Sequence, residues 1–302
     1  MRLKYHLESP ADPLFSMKLT SHGTKVIASQ TWVALRRYGP GAALYLLATN
    51  LRRKSGTLRR LTHQLPLKGL EHPLYLREHS DPFFFGQIFL DQEFAPTRSL
   101  EISSVVDLGG NVGLASTWFL NTFPRARVVT VEANPDNFAS LDANLRQYGD
   151  RSLVIKGGAW WRQTSLALVR RRDEGDAHVR EALPDDDPAI LMEGWDVPAL
   201  MGRAGFTRID LLKIDIEGAE VDLLLKDAER WLPLVRNLSI ELHGPECEAA
   251  LERALVPYTY QRQTLGELIF CFYLQPKQSS PGEHAAASVR SVRQPMENPL
   301  KK

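Results

Sequence analysis

Two short runs concentrate the groups able to move a proton or hold a charged ligand. The first is IDLLKIDIEGAE, residues 209–220, an apolar run with Lys213 in its middle and Asp215, Glu217 and Glu220 at its end. The second is NLSIELHG, residues 237–244, with Glu241 and His243 two positions apart. An imidazole titrates near neutrality and can take a proton from a hydroxyl. A carboxylate such as Asp215 can do the same or orient the acceptor. Both runs read as buried strands of a parallel sheet. Alternation puts Lys213 on the side of Asp215, and Glu241 on the side of His243. A lysine so deep needs a partner, and Glu241 is the expected one, whether for catalysis or purely for structure. Glu217 and Glu220 also read simply as acids suited to the N-terminus of the next helix. Asp215, Glu217, Glu241 and His243 offer ligands for Mg²⁺, but spacing alone does not establish a metal and no metal ligand is assigned.

A third run, VVDLGGNVGLAS at residues 105–116, reads as a strand, a glycine-rich turn and a helix start. Gly109, Gly110 and Gly113 let the backbone bend tightly and approach a ligand, with Asn111 between them. Many α/β proteins carry such a turn for structural reasons alone. Asp107 closes the strand, where it would repel a pyrophosphate and attract a cationic group. The glycine spacing also departs from the G-x-G-x-x-G of dinucleotide folds. In VVTVEANPDN, Glu132 ends the second strand, where an acid can accept hydrogen bonds from both ribose hydroxyls, with Ala133 and Asn134 beside it. The third strand ends in KGGAW, where Gly158 and Ala159 are small enough for an adenine to lie against.

The elements that must position these groups are legible as a rhythm. Residues 101–275 alternate apolar β-rich runs (SSVVDL, ARVVTVE, SLVIKGG, IDLLKID, NLSIELH, LIFCFYL) with helical stretches such as PDNFASLDANLRQYG and EVDLLLKDAERWLP. This pattern predicts a doubly wound, mostly parallel sheet with helices on both faces. The charged run RRRDEGDAHVREALPDDDPA reads as an exposed loop or insertion. Residues 66–100 form a lead-in in which Asp81 can cap a helix starting at Pro82 and burying Phe84, Phe85, Ile88 and Phe89. Residues 1–65 read as a helical extension, and the polar tail 276–302 as disordered. Arg52, Arg53, Arg59 and Arg60 fall partly on one helix side, a solvated face or a contact for anionic lipid or a polyanionic substrate.

With 37 Lys and Arg against 36 Asp and Glu, the net charge of +1 gives no global field for nucleic acid. Two cysteines without metal spacing read as free thiols of a reducing compartment. The start lacks an apolar signal region, and the run GAALYLLA is too short to span a bilayer. A cytoplasmic location is the expectation. Oligomeric state is not legible.

These blocks together resemble class I S-adenosylmethionine-dependent methyltransferases. LREHSDPFFFGQIFLDQEF, VVDLGGNVGLAS with VVTVEANP, and IDLLKIDIEGAE with LSIELHG are more narrowly similar to the FkbM family, over roughly residues 75–245. The resemblance implies a Rossmann-like, seven-stranded fold, S-adenosylmethionine as cofactor, and O-methylation of a hydroxyl on a sugar, glycolipid or natural product. It places the cofactor against Asp107, Gly109, Gly110, Asn111, Gly113, Glu132, Ala133, Asn134, Gly158 and Ala159. The chemistry would fall to Asp215 and His243, supported by Lys213 and Glu241. Arg77 or Asp81 would close over the ligands, unless Asp81 only caps its helix and pairs with Arg77. The family typically has alanine where this chain has Gly110, a difference expected to be mild. The chain has DIEG where base-directed amino methyltransferases carry [D/N]-P-P-[aromatic], which argues against a nucleobase acceptor. Two rival classes are an NAD(P)-dependent oxidoreductase and a catalytically silent S-adenosylmethionine-binding partner subunit.

Overall fold

The computed structural model describes residues 22–56, 62–78, 80–170 and 177–278. Helices α1 (His22–Tyr38) and α2 (Pro40–Lys54) come first, then an antiparallel pair, β1 (Thr62–Leu65) and β2 (Leu74–Arg77). Helix α3 (Asp81–Phe85) follows and runs on as a wider π-type turn to Leu90. The alternating region opens with β3 (Ser104–Leu108), α4 (Leu114–Thr122), β4 (Arg127–Glu132), α5 (Pro135–Leu145) and β5 (Ser152–Lys156). Short strands β6 (Gly158–Ala159), β7 (Ser165–Arg170), β8 (Ala177–Glu181) and β9 (Leu191–Trp195) precede α6 (Val197–Ala204). The chain continues through β10 (Leu211–Ile214), α7 (Glu220–Lys226), α8 (Ala228–Trp231), β11 (Leu238–Glu241), α9 (Pro245–Leu255), β12 (Tyr258–Leu265) and β13 (Leu268–Pro276).

The main sheet has seven strands in the order β12-β13-β11-β10-β3-β4-β5. Five strands are parallel, and β13 joins β11 and β12 antiparallel. Strand order reverses between β3 and β10, so the crevice of a doubly wound sheet opens above their C-terminal ends. Alternation sorts the side chains into two cores. Val106, Val129, Leu212 and Leu238 pack with α6, α7, α8 and α9; Val105, Val128 and Leu211 pack with α4 and α5. Ala34 of α1 and Tyr45 and Leu46 of α2 join that second core beside Phe85 and Phe89, so the N-terminal helices share it. The helix ends follow local chemistry. Asn134 accepts from the Asp136 N–H ahead of α5, and Asp196 accepts from the Ala199 N–H ahead of α6.

Several expectations need correction, the first being that residues 62–65, read as the end of a helical extension, form β1. The charged run expected to be an exposed loop or insertion is not all loop: it contains β8, which pairs antiparallel with β7 through Leu168 opposite Val179. With β6 and β9 they make a four-stranded sheet over the crevice. Strand β12 was not among the apolar runs because most of its side chains face solvent at the sheet edge. Asp81 begins α3 and does not cap it: its carboxylate accepts from the Arg77 N–H at 2.7 Å, and Ser80 precedes the helix without a side-chain cap bond. Arg59, Arg60 and the tail from residue 279 lie outside the described residues.

Candidate active site

A cleft of about 240 Å³ opens at the C-terminal ends of β3, β4 and β10, the size of a small-molecule site and not of an ion site. Its floor is the turn after β3. Gly109 adopts a left-handed φ of 79°, and a Cβ there would stand 1.8 Å from the Asp215 carbonyl oxygen. Only glycine permits this approach of two strand ends. At Gly110 a Cβ would meet side chains and not backbone, standing 2.2 Å from Thr130 Cγ2 and 2.5 Å from Leu141 Cδ1, so an alanine there requires those side chains to shift. Gly113 takes φ 85° and starts α4.

Of the residues expected to hold a cofactor, Gly109, Asn111, Glu132, Ala133, Asn134, Gly158 and Ala159 line the cleft. Glu132 is the organising group. Its two oxygens accept from the Asn111 and Asn134 N–H groups, each at 2.8 Å, which leaves each oxygen capacity for a further donor. Burial pushes its carboxyl up to about 7 against those two hydrogen bonds. Gly157 and Gly158 are small because β7 and β9 leave no room: a Cβ would meet Glu193 O at 2.5 Å and Leu166 Cδ1 at 2.7 Å, respectively.

Asp107 does not line the cleft. It is fully buried, accepts from Ser116 Oγ at 2.6 Å and lies 3.2 Å from Lys213 Nζ. The expected Lys213–Glu241 pair is replaced by this one, and register is the reason. Lys213 stands directly beside Asp107 on β3 and Ser239 on β11, while Glu241 lies two residues beyond Ser239. Lys213 also donates to the Gly109 carbonyl at 2.6 Å and reaches Asp215 Oδ2 at 3.3 Å. Burial opposes the ammonium, but Asp107 and Asp215 outweigh it and hold its pKa above the ordinary lysine value. Lys213 thus clamps the glycine turn to the end of β10.

Arg77 and Asp81 do not reach the cleft either. They pair at 2.9 Å, and Arg77 donates to Asn137 Oδ1 at 3.0 Å. The LREHSD block closes the cleft through Ser80 and Phe84, with Leu168 of β7 and Val179 of β8 on another wall. Sequence reasoning missed these walls.

At the β10 end, Asp215 and Glu217 face the cleft. His243 Nε2 lies 3.4 Å from Glu217 Oε2, and 3.9 Å from both Asp215 Oδ1 and Glu241 Oε1. The other ring nitrogen, Nδ1, is 2.8 Å from Glu220 Oε1. Glu220 is fully buried and also accepts from the Ile216 and Gly218 N–H groups, so it fixes both the DIEG turn and the imidazole. Sequence reasoning had not given it that role. The Glu220 hydrogen bond raises the His243 pKa to about 9, so the ring is an imidazolium at neutral pH. Burial would raise the Glu220 carboxyl, yet its hydrogen bonds with His243 and the backbone bring it below the ordinary value. Burial pushes Glu241 up to about 7, with Asp215 adding to the rise. Burial likewise pushes Glu93 up to about 8, and this side chain from the lead-in segment feels Lys213, Glu241 and Asp215.

Ligand atoms of Asp215, Glu217 and His243 lie within 4.8 Å of one another and could hold a cation.

A doubly wound sheet with a cleft at its switch point, lined by Asp215 and Glu217 with His243 beside them, has the layout in which open α/β sheets bind ligands. The methyltransferase FkbM domain is matched over residues 107–256, so the chain carries a domain of that family. It is 26% identical over 195 residues to Methyltransferase 1 of Beauveria bassiana, covering 58% of this chain and 78% of that protein. It is 27% identical over 210 residues to the AMB antimetabolite synthetase AmbE of Pseudomonas aeruginosa, covering 57% of this chain but only 10% of that protein. A crystal structure of a methyltransferase FkbM from Methylobacillus flagellatus KT aligns over 82% of this chain and 59% of that one, at 14% identity and TM-score 0.42.

Proposed function

We propose that the protein transfers a methyl group from S-adenosylmethionine to a hydroxyl oxygen of a small molecule or glycan. The residues present fit that cofactor. The Gly109 turn forms a floor no side chain can enter, Glu132 has acceptor capacity for ribose hydroxyls, and Gly158 and Ala159 leave a flat wall. Asp215 and Glu217 face the cleft as acids and favour a ligand carrying positive charge. When bound, S-adenosylmethionine supplies an electrophilic methyl group on a sulfonium.

The chain's own work is alignment and proton removal. The single observation that carries the reading is His243, held through Nδ1 by buried Glu220 with Nε2 turned toward Asp215 and Glu217. In its neutral form Nε2 would accept the proton of the acceptor hydroxyl, and the cofactor would supply the methyl group that this oxygen takes up. Asp215, held by Lys213, orients the acceptor. Base strength set by Glu220 suits a weakly acidic hydroxyl.

The test is a panel of sugars, glycolipids and hydroxylated natural products, with S-adenosylhomocysteine release as readout. A general base contributes about a hundredfold to ten-thousandfold. His243→Ala and Asp215→Asn should each cut turnover within that range while cofactor affinity stays close to wild type. Full turnover in His243→Ala would remove the histidine from the proton step.

A further inference from the structure

Helices α1 and α2 carry a surface that the cleft chemistry does not use. In α2, Ala42, Ala43, Tyr45, Leu46 and Thr49 are buried, while Leu44, Leu47 and Leu51 are 65%, 43% and 59% exposed. Their spacing of three and four residues sets them in one stripe along the helix. Helix α1 repeats the pattern: Trp32 and Leu35 stand 51% and 41% exposed, and Ala34 is fully buried. Five of the eleven large apolar side chains exposed among the described residues therefore fall on these two helices. Isolated exposed leucines are ordinary, but stripes on adjacent helices mark a contact surface.

The helices are not free to turn these residues inward. Tyr38 donates its hydroxyl to the Phe89 carbonyl at 2.9 Å, Arg37 donates to Leu90 O at 2.8 Å, and Tyr45 donates to Arg77 O at 2.6 Å. The apolar stripes are thus presented on a fixed support.

Charge identifies what covers them. The chain as a whole is nearly balanced, yet residues 22–56 contain Lys25, Arg36, Arg37, Arg52, Arg53 and Lys54 and no aspartate or glutamate. Arg52 is paired with Glu78 and Arg53 falls on the side of α2 away from the leucine stripe, whereas Arg36 stands exposed next to Leu35. A second copy of the chain would bring this cation-only segment against itself, and like charges oppose such an interface. An anionic lipid surface takes both features at once: leucine and tryptophan enter the acyl boundary while arginine meets the headgroups. No helix among the described residues is long and apolar enough to cross a membrane, so the contact is peripheral.

We infer that the α1–α2 pair is a docking surface for an anionic membrane, with Leu44, Leu47, Leu51, Trp32 and Leu35 as the inserting groups. The surface stands independently of the reaction read from the cleft.

The experiment is co-sedimentation of the full chain with phosphatidylcholine vesicles, and with vesicles in which about a third of the lipid is phosphatidylglycerol. The full chain should bind the anionic vesicles, and the bound fraction should fall in high salt. A Leu44→Gln/Leu47→Gln/Leu51→Gln variant should bind at least about tenfold more weakly with an unchanged circular dichroism spectrum, because these residues make no core. Arg36→Gln, beside the exposed Trp32 and Leu35, should weaken the preference for anionic lipid. Binding no stronger to anionic than to zwitterionic vesicles would overturn the inference, as would full binding by the leucine variant. A dimer in light scattering that the leucine variant dissolves would assign the surface to a second copy and overturn it equally.

Discussion

At the residue scale, the site is governed by which groups share protons and charge. The Lys213 ammonium is the counter-ion of a fully buried carboxylate, Asp107, so Lys213→Met should lower stability by about 3–5 kcal/mol in chemical denaturation, the usual cost of stranding a buried charge. Asp107→Asn in the same background should recover part of that loss; no recovery would mean that the lysine acts elsewhere. His243 gives a pH prediction with a definite sign. Its protonated form cannot accept a proton, so kcat/KM should rise about tenfold per pH unit up to about 9 and then level. Glu220→Gln keeps an oxygen for Nδ1 and removes the charge that raises the ring's pKa. Its limb should move toward the ordinary histidine range, by one to two units in order of magnitude. An unmoved limb in a folded variant would show that another group, Glu241 or Glu93, sets it. Much of this site was legible from residue type alone: Asp215, Glu132 and His243 stand at the ends of readable strands. The partner of Lys213 was not, because lateral register across a sheet leaves no trace in local sequence. Glu220 was hidden by the ordinary explanation for an acid in a first helical turn.

At the element scale, the glycine turn after β3 is fixed by what approaches it. Gly110 sits against the side chains of Thr130 of β4 and Leu141 of α5, which a methyl group would have to displace. Gly110→Ala should cost roughly 1–3 kcal/mol of stability, the usual range for overpacking, read by thermal or chemical denaturation. Stability within about 0.5 kcal/mol of wild type would mean that the two neighbours yield freely. The parallel strands β3, β4, β10 and β11 were legible because both faces are covered and their sequences are nearly continuous apolar runs. Strand β8 escaped because only Val179 of its five residues is buried, so AHVRE reads like the charged run around it. Strand β12 escaped for a related reason, since an edge strand with solvent-facing Arg262 and Gln263 shows no apolar alternation. These two misses have different weight. Losing β12 changes nothing at the site, whereas β8 supplies a wall of the cleft.

At the scale of the whole molecule, one sheet carries a cleft at its switch point, lined by Asp215 after β10, with His243 after β11 beside that carboxylate. Two helices with outward apolar stripes stand on the second core. The central claim is that this cleft holds S-adenosylmethionine through Glu132. Calorimetric titration with S-adenosylhomocysteine tests it most directly, on wild type, Glu132→Ala and His243→Ala side by side. One site per chain is predicted for wild type and for His243→Ala. Glu132→Ala should bind more weakly by roughly 1–3 kcal/mol, because the ribose hydroxyls lose their acceptor. No binding by the wild type, or unchanged affinity in Glu132→Ala, would contradict it.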